Sequence, residues 1–189
     1  MITAFFAKIW YGMKSISRTH WMIKYKKWQD VEYFDNRWKE RIKQMSAFIE
    51  PNKKVLDLGC GQMWLKEYLP PNCLYVPVDY ILRSNNCIVA DFNKKEFPRI
   101  TTDIAFISGC LEYIKDYTWF IRCVTQCSEQ VIISYCTTNE FPAKTIRKRY
   151  HWVNHLSAEK LIALFISVGF KLETQAKTND KNHLFFFTK

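Results

Sequence analysis

Val55-Leu56-Asp57-Leu58-Gly59-Cys60-Gly61 decides how this chain reads. The apolar run suits a strand inside a sheet covered on both faces. Gly59 and Gly61 allow a sharp turn and leave no Cβ between the backbone and a ligand. A helix should follow the turn. Asp57 falls near the carboxyl end of the strand, where open α/β sheets bind ligands. Two common turns are excluded. A dinucleotide fingerprint would put its third glycine at Trp64, too large for close helix–strand packing. A phosphate-cradling loop needs G-x-x-x-x-G-K-[ST], and no such string occurs.

Three further segments follow in order. Leu74–Asp79 reads as a second strand ending in an acid, twenty residues past Gly59. Ile88–Phe92 reads as a third, with Asp91 at its end. Asp103–Tyr113 reads as a fourth strand and its exit loop, through Ser108, Gly109 and Glu112. The set resembles the ordered motifs of class I S-adenosylmethionine-dependent methyltransferases, whose first motif often has the form D-x-G-C-G. The resemblance runs from about Lys53 to the C-terminus. It implies a cofactor site of Asp57, Gly59, Cys60, Gly61, Asp79, Tyr80, Asp91, Phe92, Ser108 and Gly109. Asp57 would lie at the methionine end, Asp79 on the ribose hydroxyls, and Asp91 and Phe92 at the adenine. The family's third glycine falls on Met63 here, which implies a wider turn. Each residue also has a plainer reading. Asp79 could be a solvated strand-end acid and Asp91 a turn residue. Glu112 could be a first-turn acid favoured by a helix dipole. Cys60 and Cys110 read as small buried fillers.

At 189 residues, one α/β core is the simplest organisation. The expected fold is a single doubly wound, mostly parallel seven-stranded sheet with an antiparallel last strand and a helical N-terminal extension. The expected division is an extension or lid over residues 1–50 and a methyltransferase domain over 51–189. Asp116–Cys127 carries helical spacing, and Val131–Tyr135 reads as a fifth strand. Ser157 reads as an N-cap for a helix burying Leu161, Leu164, Phe165 and Val168, closed by Gly169. Phe170–Glu173 and Leu184–Phe187 read as the last two strands. About seven residues separate the second and third strands, too few for a helical crossover. Seven cysteines without a secretion signal argue for a reducing compartment. No C-x-x-C occurs, and Cys123 and Cys127 lack a nearby histidine pair, so no metal is expected.

The net charge of +10 is unevenly spread. Residues 51–140 sum to −1, while residues 1–50 carry +5 and residues 141–189 carry +6. Residues 1–29 hold six basic residues and no acid; Lys144, Arg147, Lys148 and Arg149 form a second cluster. Such charge suits an anionic substrate or surface, or simply solubility. Ile2, Phe5, Phe6, Ile9, Trp10 and Met13 fall on one helical face, followed by Trp21, Met22, Tyr25 and Trp28 among lysines. A basic amphipathic helix of this kind can be a lid, a contact with an anionic membrane, or a dimer interface. A separate helix is expected within Tyr33–Ile49. The expected location is cytoplasmic, free or peripheral at the inner face of a membrane, as monomer or homodimer.

His151 and His155, in Tyr150–Leu156, are the leading candidates for a general base on a hydroxyl acceptor, with Glu112 in reserve. Both histidines could instead be satisfied loop residues. The expected activity is methyl transfer to a modest-sized, anionic acceptor, such as a sugar phosphate, a nucleotide-linked sugar or a lipid-linked glycan intermediate. An RNA methyltransferase is a variant, weakened by the absence of a [DNS]-P-P-[YFW] string and of an RNA-binding appendage. A non-catalytic binding protein on the same fold is the alternative of a different class.

Overall fold

The computed structural model describes residues 34–189, and the N-terminal amphipathic face read above lies outside them. Residues Asp35–Lys189 form one compact unit. It holds four helices: α1 (Arg37–Ser46), α2 (Tyr117–Cys127), α3 (Lys144–Arg149) and α4 (Ala158–Ile166). The strands are β1 (Lys54–Leu58), β2 (Leu74–Asp79), β3 (Ile88–Val89), β4 (Thr102–Ser108), β5 (Ser128–Tyr135), β6 (Lys171–Lys177) and β7 (His183–Thr188). They form a single sheet in the order β3-β2-β1-β4-β5-β7-β6. The pairings from β3 through β5 are parallel, and β7 runs antiparallel to both β5 and β6.

Alternation along the central strands divides the core in two. Leu56 and Leu58, Ala105 and Ile107, Val131 and Ile133, and Phe185 and Phe187 face one side, where Phe120, Val124, Leu161 and Phe165 of α2 and α4 cover them. Val55, Ile104, Phe106, Ile132 and Leu184 face the other, under Met45, Ile49 and Leu65. A strand buried on both faces needs apolar residues at both parities, which is why β1, β4 and β5 read as continuous apolar runs. α1 belongs to this core, so Asp35–Ile49 pack with the sheet although they fall before residue 51.

The caps follow the sequence. Asp116 and Ser157 accept from Trp119 N and Lys160 N at the starts of α2 and α4. The 80–87 connection contains no helix. Four elements differ from expectation, the first being β6, which runs on to Lys177 past the expected Glu173. The turn after Gly61 enters a 3-10 helix, Trp64–Tyr68, because Pro70 and Pro71 stop any longer helix. Met63 there sits at φ 57°, the left-handed conformation a glycine would adopt without cost. The third strand keeps only Ile88 and Val89, since Asp91 caps a second 3-10 turn, Phe92–Lys94. β5 begins three residues earlier than expected, where Ser128 pairs with Thr102 of β4.

Candidate functional site

The carboxyl ends of β1, β2, β4 and β5 bring the candidate residues together. After β1, Gly59 N–H and Cys60 N–H both donate to the Val78 carbonyl, at 2.8 and 3.0 Å, so the glycine turn is stitched to the end of β2. Gly59 and Gly61 adopt φ of 79° and 51°. A Cβ on Gly59 would lie 2.6 Å from Cys110 Sγ, so the chain's own packing demands glycine there.

Asp79, 4% exposed, closes this turn. Its Oδ2 accepts from Gly61 N–H at 2.9 Å and from Arg83 Nε at 3.2 Å, and its Oδ1 accepts from Tyr80 N–H at 2.7 Å. A carboxylate offers about four acceptor positions, so about one remains for a hydroxyl. Asp57 is buried, and Tyr75 Oη donates to its Oδ2 at 2.7 Å. Burial raises its pKa from 3.8 to about 7 despite that hydrogen bond; the nearby Asp79 charge adds to the rise. Asp91 accepts from Asn93 N–H and lies 3.8 Å from Lys94 Nζ. Phe92 packs against Phe97 and Phe120, with ring centroids 5.9 and 4.9 Å away. It is therefore a core residue beside the cleft.

From α1, Arg41 reaches the exit of β4. Its Nε donates to Ser108 Oγ at 3.2 Å, and its Nη1 pairs with Asp180 Oδ2, between β6 and β7, at 2.5 Å. Gly109 N–H donates to Ser134 Oγ at 3.1 Å, and a Cβ on Gly109 would stand 3.0 Å from Arg41 Nη2. Glu112 follows on the 3-10 turn Leu111–Tyr113 and is 1% exposed. Its Oε1 accepts from Cys136 N–H at 2.8 Å, while its Oε2 is buried with no hydrogen-bond partner among the described residues. Burial raises the Glu112 pKa, opposed by the Cys136 N–H and the Arg41 charge.

The two histidines part company. His151 sits at φ 65° in the turn that closes α3, its N–H on the Lys148 carbonyl at 2.9 Å. His155 is exposed, and its Nδ1 accepts from Arg147 Nε at 2.9 Å. A guanidinium can only donate, so His155 carries its proton on Nε2. Partial burial and the charges of Arg147, Lys144 and Lys148 hold its pKa below the ordinary imidazole value. A ring with its basic nitrogen occupied and its affinity for protons lowered is a poor general base.

Sequence reasoning missed the groups that join the exits of β4 and β5. Arg147 belongs to the basic cluster in sequence, yet it is fully buried. Besides His155, it donates to the Cys136 carbonyl, Tyr135 Oη and the Asn154 carbonyl at 2.7–3.1 Å. Asn154 in turn donates to the Leu111 and Ile114 carbonyls at 2.6 and 2.9 Å. This network ties the exits of β4 and β5 to the segment before α4. Arg41 and Arg83 were missed as well. For Arg41 the only signal would have been a long-range partner, which a single sequence does not display, whereas Arg83 follows its partner Asp79 by four residues, a spacing that was legible.

Among the described residues, no group of three or more His, Cys, Asp or Glu could hold a metal ion. No described helix is long and apolar enough to cross a membrane.

The sheet order, the glycine turn and the acid at the end of β2 define a class I methyltransferase fold. Residues 30–175 match the methyltransferase domain family, and the chain belongs to it. Its cofactor is S-adenosylmethionine. The residues fit that group: a glycine turn at the carboxyl end of β1, Asp79 closing it, and a glycine at the exit of β4. No curated protein sequence matches the chain. Among solved structures, it is similar to the Burkholderia thailandensis 1,6-didemethyltoxoflavin-N1-methyltransferase with bound 1,6-didemethyltoxoflavin and S-adenosylhomocysteine, at 13% identity and TM-score 0.65 over 95% of this chain and 89% of that one. It is similar to a putative methyltransferase in complex with the Haloferax volcanii Trm112 activator, at 12% identity and TM-score 0.69 over 82% and 90%. It covers 79% of its own length but only 54% of the pyocyanin biosynthetic protein PhzM, at 12% identity and TM-score 0.62.

Proposed function

We propose that this protein transfers the methyl group of S-adenosylmethionine to a hydroxyl of a small, anionic acceptor, with Glu112 as the general base. The sulfonium of the cofactor supplies an activated methyl and a good leaving group. The chain then has to hold the acceptor in line, exclude water and take up one proton. The S–CH3 bond breaks, the O–CH3 bond forms, and the hydroxyl proton passes to the carboxylate. The observation that carries this reading is the buried, unpartnered Oε2 of Glu112, three residues past Gly109. Its neighbour Oε1 is fixed by Cys136 N–H, which leaves one oxygen for the reaction. Burial that raises the carboxyl pKa makes its anion a stronger base than an exposed glutamate. The Arg41 charge opposes that rise. The anionic class of acceptor is supported by the charge distribution, with +10 overall around a near-neutral core.

The test uses methyl-labelled cofactor with a panel of sugar phosphates, nucleotide-linked sugars, lipid-linked glycans and RNA. Label should enter a small anionic acceptor. Glu112→Gln should cut that turnover by roughly 10²–10⁴-fold, the usual range for a lost acid–base group, with cofactor affinity unchanged. Label entering RNA alone overturns the acceptor class. Full activity in Glu112→Gln overturns the base.

A further inference from the structure

α3 is packed inside out. An amphipathic surface helix normally turns apolar residues inward and charge outward. Here the one buried residue of Lys144–Arg149 is Arg147, while Ile146 is 44% exposed. Tyr150, a helical turn beyond Ile146, is 53% exposed, and Val153 is 39% exposed. Lys144, Lys148 and Arg149 are exposed among them. Arg147 explains how this arrangement holds. Its guanidinium fastens α3 to β5 and to the segment before α4, and lies 4.8 Å from the Trp152 ring centroid. Tyr150 stacks on that ring at 5.1 Å and 22°. The outward aromatic is thus backed by an indole and a buried cation. Leu74, Leu82, Val89 and Ile166 are also exposed, but such single apolar residues are ordinary.

We propose that α3 and the turn after it, from Lys144 to Val153, form a docking face for an anionic lipid surface. Aliphatic and aromatic tips interleaved with lysine and arginine fit the boundary between acyl chains and negative headgroups. The lysine stems can lie along that boundary with their charges in the headgroup layer. A tyrosine ring suits the same depth, apolar on its face and polar at its tip. The docking face does not depend on the identity of the methyl acceptor.

The experiment is co-sedimentation of the full chain with vesicles of phosphatidylcholine alone, or with one-third phosphatidylglycerol, at low and high salt. The protein should bind the anionic vesicles, ignore the neutral ones and be released by salt. Ile146→Asp, which puts a charge where a side chain would insert, and separately Lys144→Glu with Lys148→Glu, which removes two positive charges and adds two negative ones, should each lower vesicle partitioning about tenfold or more. Affinity for S-adenosylhomocysteine, by calorimetry, should stay unchanged in both. The lysine pair touches only exposed side chains, so it keeps the test open if Ile146→Asp disturbs α3. Failure to bind anionic vesicles overturns the proposal. So does equal partitioning of parent and variants, which would place contact elsewhere, or equal binding to neutral vesicles.

Discussion

At Asp57 burial outweighs hydrogen bonding. Tyr75 donates to the carboxylate, yet the apolar surroundings push its pKa to about 7. Between pH about 4 and 7 the folded chain therefore holds a proton there that the unfolded chain has released. The contribution of Asp57 to stability should accordingly fall as pH rises through that window. Cofactor binding should show the opposite dependence, because a cationic sulfonium and ammonium favour the ionised carboxylate. If binding demands the anion, affinity for S-adenosylmethionine should rise roughly tenfold from pH 6 to pH 8. Calorimetry across that range checks it, and Asp57→Asn should flatten the dependence. The sequence displayed Asp57 because a strand followed by a glycine turn is a local pattern. It concealed the contrast between Glu112 and His155, which depends on what each side chain meets. Imidazole's intrinsic pKa favoured the histidine, but Arg147 occupies its Nδ1. A charged residue is expected outside, so nothing in the string Lys-Thr-Ile-Arg-Lys-Arg singled out Arg147 as the one buried member.

Among the elements, β1, β4, β5 and α4 were legible because periodicity and caps are written within ten residues or so. The turn after β1 was legible in type but not in detail. Its helix is cut short by Pro70 and Pro71, and Met63 accepts a left-handed conformation in place of glycine. β3 shrank to two residues because Asp91 uses its side chain to cap the next turn. A close approach joins two such elements, the turn after β1 and the exit of β4. Gly59→Ala would set a Cβ 2.6 Å from Cys110 Sγ and 2.8 Å from Cys110 Cβ, at a φ of 79°. Destabilisation of roughly 1–3 kcal/mol is expected, from backbone strain and overpacking together. Cofactor affinity should fall with it. Cys110→Gly in the same chain should recover the overpacking part and leave the backbone part, so the two substitutions should couple in urea unfolding. Purely additive effects would mean that Cys110 is not the obstruction.

Across the described unit, α1 and the β6–β7 connection meet at the exit of β4. Arg41, on α1, pairs with Asp180, 139 residues later, and donates to Ser108 at the end of the central β4. The pair is partly buried, with 7% and 23% of the side chains exposed. Burial alone would raise the Asp180 pKa, but the Arg41 charge, together with hydrogen bonds from Thr178 and Asn182, brings it below the ordinary carboxyl value. No local pattern announces a contact of this span. The sheet that creates it was nonetheless legible, since an antiparallel last strand puts the β6–β7 connection, with Asp180, at the carboxyl end of β5. Removing Arg41 takes away a partner of Asp180 and the cation that opposes the burial of Glu112. Breaking a fully buried ion pair costs about 3–5 kcal/mol. Because Asp180 retains water contact, Arg41→Ala should cost less, roughly 1–3 kcal/mol. Asp180→Ala should cost a similar amount, and the double variant less than the sum, a coupling that a double-mutant cycle in urea measures. The same substitution should raise the Glu112 pKa further and shift the acid limb of the turnover profile to higher pH. A cycle without coupling would show that Arg41 contributes through packing on α1 alone, and an unmoved acid limb would separate Arg41 from the carboxylate proposed to take the proton.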